Sequence, residues 1–382
     1  MKIALENATL VLQNQKLEKQ FVLVENKKIS KISSDRIEAE TKIDLNGNFL
    51  LAGFIDIHNH GAIGIDVNQA DTQGLYEISK FLISKGVTAW LPTLVPDEDE
   101  VYHRLVQAID ELTEFEPKEP IAKVLGIHYE GIFANRQMCG ALRPEFFKTF
   151  TGKELESLPT PRKGAKMMTM APEIEGGLEL IEKLKQSGWI VSIGHTKANK
   201  ETLDEALKRG AKHLTHFFNA MSGIHHREIG VAGWGLISPT ITFDIIADKI
   251  HVHPEILKLA CEIKTPDKVL LISDSIAPTG LGDGIFELWG EKIQVLKGKT
   301  KNARGNIAGS VITLIDAFKN MVSLGFSIEE VAKMASTNAA KLLNLQNQMG
   351  SIEIGKTANL VAIDENLKLT FAIVGDKFCF FR

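Results

Sequence analysis

Eight apolar runs, separated by longer stretches of a different texture, constrain this chain more than any other feature. They are FIDIHNH (54–60), VTAWLPTL (87–94), AKVLGIHYEG (122–131), AKMMTMAPE (165–173), WIVSIGHT (189–196), HLTHFFNA (213–220), TFDIIADKIHV (242–252) and KVLLISDS (268–275). Between them lie segments such as TQGLYEISKFLISKG (72–86), LELIEKLKQSG (178–188), KETLDEALKRG (200–210) and PEILKLACEIK (254–264). Each repeats apolar residues at i, i+3 or i+4, and three of the four end in Gly, a helix-stop signal. Strand and helix alternating eight times predict an α/β fold, a (β/α)8 TIM-like barrel. Strands covered on both faces should read as continuous apolar runs, and most of these do. Their polar residues sit at the C-terminal ends, which in this architecture form the active-site face. His58, His60, Glu130, His195, His216, His251 and Asp274 are therefore expected to converge, although they span more than half the chain.

Both ends of the chain read differently. Residues 1 to about 50 are short alternating segments broken by Asn and Gly, the signal for antiparallel hairpins, and the same texture returns in NLVAIDENLKLTFAIVGDKFCFFR. We expect one small β-sandwich domain built from residues 1–52 and 350–382, around a (β/α)8 barrel over 53–349. A length of 382 residues suits this plan, since such barrels take about 250 residues. Forty-four basic against 48 acidic residues give a net charge of -4. No long Lys/Arg block tracks a nucleic-acid backbone, so no nucleic-acid partner is expected. The start, MKIALENATLVLQNQ, has no apolar h-region, and no run of roughly 18 apolar residues occurs. We expect a soluble cytoplasmic protein with no membrane partner. Cys139, Cys261 and Cys379 are widely spaced and in no CxxC arrangement, so any metal has nitrogen and oxygen ligands.

In FIDIHNHG a period of two puts Asp56, His58 and His60 on one face, the two imidazoles about 7 Å apart along the strand. That suits two ligands of one ion or of two neighbouring ions, but a lone strand-end His is more often satisfied by a hydrogen bond. LGIHYEG offers Glu130, which could bind one ion, bridge two, or simply pair with a basic residue; His128 is assigned to packing or ligand support. His195 closes WIVSIGHT. His213 and His216 have opposite parity, so only one is expected to face the barrel interior; the alternation Leu214, His216, Phe218 favours His216. Asp274, ending KVLLISDS, fits either an acid/base beside a metal or a helix N-cap.

The runs LAGFIDIHNHG, LGIHYEG, SIGHTKAN, HLTHFFNAM, IIADKIHVHPE and LLISDSIAPTG, in this order, resemble the N-acetylglucosamine-6-phosphate deacetylase family of the amidohydrolase superfamily over nearly the whole chain. THxxNAM, HREIG, and ADxxH followed by a strand-end DS with AP are its more specific motifs. The resemblance implies that Glu130, His195 and His216 hold a divalent metal ion with the hydrolytic water. It implies that His58 and His60 complete a second site that only some members keep, and that Asp274 is the acid/base. One or two ions per subunit follow, zinc or iron first, manganese or cobalt as alternatives. Substrate contacts are implied for Ala141, Asn219, Ala220, Arg227, His251, Ile307, Ala308 and Gly309. Of these, Arg227 and His251 hold the phosphate, Arg227 acting across a homodimer interface, and Ala308 and Gly309 close over the acyl group. His251 or a nearby donor is also expected to stabilise the oxyanion. The implied substrate is a small phosphorylated amino sugar.

Three positions depart from the family pattern: Ala52 and Ile132 stand where Pro is usual, and Leu142 where a polar His or Gln is usual. Leu142 cannot hydrogen-bond through its side chain, so the substrate alternatives are another N-acetyl amino sugar phosphate or an N-acyl amino acid. A non-catalytic scaffold is the competing class, and retention of Glu130, His195, His216 and Asp274 together argues against it.

Overall fold

The computed structural model describes residues 1–381. Eight parallel strands form a nearly closed barrel: β1 (Phe54–Asn59), β2 (Val87–Leu94), β3 (Gly126–Phe133), β4 (Ala165–Met170), β5 (Ile190–Ile193), β6 (His213–Leu214), β7 (Thr242–Ile246) and β8 (Val269–Ile272). Seven lie within the apolar runs, and β3 continues two residues past the end of its run. Every residue of β1, β2 and β3 is buried, as strands covered on both faces must be. The ring closes through only a few bonds at the mouth. Asp274 N–H donates to His58 O at 2.9 Å and His60 N–H to Ser275 O at 2.7 Å.

The covering helices include α1 (Thr72–Ile83), α2 (Asp99–Glu114), α3 (Gly177–Gln186), α4 (Lys200–Arg209), α5 (Gly230–Ile237), α6 (Pro254–Lys264) and α7 (Leu314–Ser323), followed by a helical segment over 328–342. Asp71, Asn199 and His253 cap three of them, each accepting from a first-turn N–H. The alternation is not complete. Between β3 and β4 the chain makes two short 3-10 turns instead of a helix, and the second of them carries residues 144–146. After β8 comes a three-stranded antiparallel meander, Gly284–Leu288, Glu291–Leu296 and Lys299–Lys301. The sequence reading did not include it. Its first turn is Trp289–Gly290, both at positive φ (54° and 77°), the two-residue turn that matches strand twist.

Segments from both chain ends share one further eight-stranded sheet, and its own apolar core joins Ile3, Leu5, Val24 and Leu50 to Leu360 and Phe371. One expectation fails here. Residues 41–44 and 49–52 do not form a hairpin: both pair parallel with the first strand, Lys2–Val11. The reason is local. Asn7 bulges out of that strand at φ 54°, and the Asn46–Gly47 turn seats on the bulge, with Gly47 N–H donating to Asn7 O at 2.7 Å. The chain therefore resumes its direction instead of reversing. Ala52 ends the second segment and is buried against Leu360.

Candidate active site at the barrel mouth

Glu130 sits at the centre of the mouth and reaches two imidazole pairs. Its Oε1 lies 2.9 Å from His216 Nε2 and 3.1 Å from His195 Nε2, and Oε2 lies 3.1 Å from His60 Nε2. The paired nitrogens face each other closely, 3.1 Å apart for His195 and His216 and 3.0 Å for His58 and His60. Asp274 Oδ1 lies 3.3 Å from His60 Nε2 and 3.5 Å from His58 Nε2. Two groups of possible metal ligands result, Glu130–His195–His216 and His58–His60–Asp274, all six residues buried.

The donor chemistry fits a cation. Backbone carbonyls accept from Nδ1–H in two rings, Met138 O for His195 at 2.8 Å and Thr93 O for His60 at 3.0 Å. A carbonyl only accepts, so Nδ1 carries the proton and the Nε2 lone pair is left to point at its neighbours. Lone pairs and carboxylates converging at about 3 Å repel unless a positive charge joins them. Two nitrogens on a tetrahedral zinc ion would be separated by ~3.3 Å, close to the spacing observed. Without a metal, protons meet this demand. Burial alone would lower the His60 pKa, but the hydrogen bonds to Asp274 and Glu130 carry it up to about 10. Burial likewise opposes, and Glu130 overcomes, the rise of His216 to about 9. Burial would raise Glu130, yet His58, His195 and His216 hold it well below the usual carboxylate range. Asp274 is lowered against its burial by His58 and His60.

A cavity of about 240 Å³ opens above this cluster. His60, Glu130, His195, His216 and Asp274 form its floor, and Ala141, Asn219, Ala220, His251, Ile307 and Gly309 its sides. Two residues expected to touch substrate lie elsewhere. Ala308 is fully buried in an apolar cluster with Leu142 and Ile276, and Arg227 is exposed, its guanidinium 2.8 Å from His226 Nε2. Leu142 lines the cavity, and its methyl group occupies the space beside Gly131 (φ 78°) where a side chain would go. Ile132 is buried and does not line the cavity. A second wall residue, Trp289 from the meander, was missed; its ring meets that of His60 edge-on at 5.7 Å. The alternating text FELWGEKIQVL around a Trp–Gly turn was the available signal.

The parity argument for β6 is overturned. His213 and Thr215, not Leu214 and His216, face inward along this strand. His213 Nε2 bonds Asp244 Oδ2 at 3.0 Å, and the Thr215 hydroxyl meets those of Thr169 and Ser192. Leu214 instead packs on Gly235 of α5. His216 reaches the interior because the chain leaves the strand after Leu214 and takes positive φ at His216 (31°) and Phe218 (77°). His128 lies one layer below, bonded to Ile57 O at 3.1 Å and to the Thr169 hydroxyl at 2.7 Å. Burial, then the charge of His58, hold its pKa well below the usual value. No helix begins at Asp274; its φ of 49° turns the chain back across the mouth, where Ser310 N–H donates to its carbonyl at 2.7 Å.

A larger cleft, about 420 Å³, lies at the opposite end of the barrel beside Lys27, Leu112, Glu116, Lys123 and Asp376. Among the described residues, groups able to hold a metal occur only at the mouth.

Residues 49–380 match the amidohydrolase family. N-acetylglucosamine-6-phosphate deacetylase from Lysinibacillus sphaericus is 33% identical over 373 residues, covering 97% of this chain and 95% of that protein. N-acetylgalactosamine-6-phosphate deacetylase from Escherichia coli O157:H7 is 34% identical over 324 residues, covering 84% and 85%. The crystal structure of N-acetylglucosamine-6-phosphate deacetylase from Pasteurella multocida superimposes with a TM-score of 0.92 over the full length of both chains at 29% identity. That from Thermotoga maritima does so with 0.89 at 31% identity, covering 99% of this chain and all of its own. With the barrel, the mouth and these likenesses in agreement, the chain belongs to the N-acetylglucosamine-6-phosphate deacetylase family of the amidohydrolases.

Proposed function

We propose that this protein hydrolyses the N-acetyl group of N-acetylglucosamine 6-phosphate, giving glucosamine 6-phosphate and acetate. The observation that carries the reading is Glu130, whose two oxygens join two imidazole pairs on the floor of a cavity that Asp274 also lines. Glu130, His195 and His216 would hold one divalent ion, zinc or iron before manganese or cobalt, and His58 and His60 with Asp274 a second. When bound, such an ion supplies Lewis-acid activation of water and polarisation of the acyl carbonyl. Asp274 takes the proton released as water adds to the carbonyl carbon. It returns that proton to the sugar nitrogen as the C–N bond breaks, and acetate leaves with the water's oxygen.

Asn219, Ala220, Ala141, Ile307 and Gly309 line the walls against which the sugar and acyl group rest. His251 lines the same cavity, its ring fixed by Asp248, whose Oδ2 accepts from Nδ1–H at 2.6 Å. Arg227, outside its own cavity, would meet the phosphate of a second copy in a homodimer. Exposed Ile224, Ile237, Ile256, Leu259 and Ile263 around α5 and α6 support that assembly as an apolar contact face. Leu259→Asp is expected to yield a monomer in sedimentation, with KM for the phosphorylated sugar raised about tenfold, the effect of losing ~1.4 kcal/mol of binding. An unchanged sedimentation profile would remove the dimer from the reading. No described helix is long and apolar enough to cross a membrane, and a cytoplasmic site belongs to the same proposal.

The apolar Leu142 on the cavity wall favours one second reading, another N-acetyl amino sugar phosphate such as the galactosamine form. Turnover on a panel of N-acetyl sugars and N-acyl amino acids, with and without phosphate, separates the two. Preference for the glucosamine phosphate is expected, and equal turnover of unphosphorylated sugars would refute the roles of Arg227 and His251.

Metal loading should depend on pH. Since His60 and His216 are raised to about 10 and 9, both rings hold their extra proton at neutral pH and lose it to an entering cation. Loading should release protons, and affinity should rise with pH up to those values. Calorimetry in buffers of different ionisation enthalpy is expected to give buffer-dependent heats, whereas buffer-independent heats would count against a cation at these rings.

A further inference from the structure

His216, like His58, is held differently from the other two imidazoles of the cluster. In His195 and His60 a backbone carbonyl accepts from Nδ1–H and fixes the ring. Among the described residues, no side chain or carbonyl meets the buried His216 Nδ1, so the ring is not fixed through that atom as His195 and His60 are. Its backbone is also in an uncommon conformation, φ 31°, which a non-glycine residue keeps only when its surroundings enforce it. The enforcing group is Asp244, at the centre of β7. Its Oδ1 accepts from His216 N–H, and its carbonyl accepts from Phe217 N–H at 2.8 Å, so one residue grips two consecutive amides of the turn. Asp244 is fully buried and is itself braced: Oδ2 lies 3.0 Å from His213 Nε2, and His213 Nδ1 lies 2.7 Å from the Thr242 hydroxyl.

We infer that Asp244, braced by His213, is the positioning residue that sets His216 in the turn from which its Nε2 reaches Glu130 and His195. It does not line the cavity and acts through the His216 backbone. The inference rests on the reading of Glu130, His195 and His216 as metal ligands, but not on which acylated sugar is hydrolysed. It explains why a histidine lies inside β6 at position 213: the strand's inward face carries the brace, and the ligand follows in the turn.

The test uses the metal alone. Apo protein is titrated with cobalt(II) and followed by its electronic absorption, and His216→Asn and His58→Asn identify the binding phase that each ligand group supplies. Asp244→Ala is expected to weaken only the phase lost in His216→Asn, by about 10–100-fold, the usual effect of removing a group that orients a metal ligand. Asp244→Asn, whose side-chain oxygen still accepts from His216 N–H, should restore most of the affinity. A merely structural role would shift both phases alike and would not be rescued by Asn. If Asp244→Ala does not fold, His213→Phe carries the test, because it removes the brace and leaves the carboxylate. A weakened His216 phase in that variant supports the inference. Unchanged affinity in a folded Asp244→Ala or His213→Phe protein, or equal weakening of both phases, overturns it. If His216→Asn removes no phase at all, the ligand assignment itself fails, which is distinguishable from a failure of Asp244.

Discussion

Asp274→Asn is expected to fold, keep metal at Glu130, His195 and His216, and lose nearly all turnover. Asparagine has the shape of aspartate and retains an oxygen near His60, which now stands 3.3 Å from Asp274 Oδ1. It cannot accept the proton of the attacking water or return one to the departing nitrogen. General acid–base steps typically contribute ~10²–10⁴-fold, so kcat should fall at least that far while KM changes little. Because Asp274 also belongs to the group with His58 and His60, that group should bind its ion more weakly in the variant. Steady-state kinetics beside metal analysis checks both parts. Wild-type rates would remove Asp274 from the acid/base role, and loss of all metal would mean that its carboxylate serves chiefly as a ligand.

Replacing Glu130 by Gln should have the widest effect on metal content. Oε1 serves the His195–His216 pair and Oε2 serves His60. An amide supplies one oxygen and turns N–H donors toward imidazoles that lack room for them. Both ions should be lost or greatly weakened. Activity should then fall by more than the ~10–100-fold typical of a residue that only supports a ligand. His58→Asn or His60→Asn should remove one ion and spare the other. Metal analysis of the three variants separates the possibilities: about two ions in wild type, one in the His58 variant and none in the Glu130 variant is the expected pattern. Equal metal in Glu130→Gln and wild type would contradict the bridging position assigned to that residue.

The barrel was legible because its strands are long apolar runs closed by polar residues, and burial on both faces leaves that text little freedom. His58 and Glu130 lie inside their strands, and His60 and Asp274 one and two residues past theirs, so the gathering of polar residues at strand ends brought all four to the mouth. Alternation failed where the strand stopped. Period two holds only inside a strand, and β6 contains just His213 and Leu214. Beyond it, φ at His216 is set by Asp244, 28 residues away in sequence but on the neighbouring strand, and no local pattern encodes that contact. The parallel pairing of residues 41–44 and 49–52 was hidden for a similar reason, because Asn46–Gly47 reads as a hairpin turn until the bulge at Asn7 gives it a seat. Trp289 stands in an alternating text that carries its signal, a two-residue turn between short strands. The family resemblance supplied residues that composition and spacing could not, among them Asn219 and Ile307 on the cavity wall, and it assigned Arg227, which lies outside the cavity of its own chain, to a homodimer interface.

The central claim is that a cation seated on Glu130 and its imidazoles is needed to cleave an N-acetyl amide of a phosphorylated amino sugar. Acetate release from N-acetylglucosamine 6-phosphate by chelator-stripped protein, before and after a divalent metal is returned, tests it most directly. We predict background release from the stripped protein and recovery on reloading in wild type, with no recovery in Asp274→Asn. Full activity in the stripped protein, or none on this substrate after reloading with zinc, iron, manganese or cobalt, would contradict the claim.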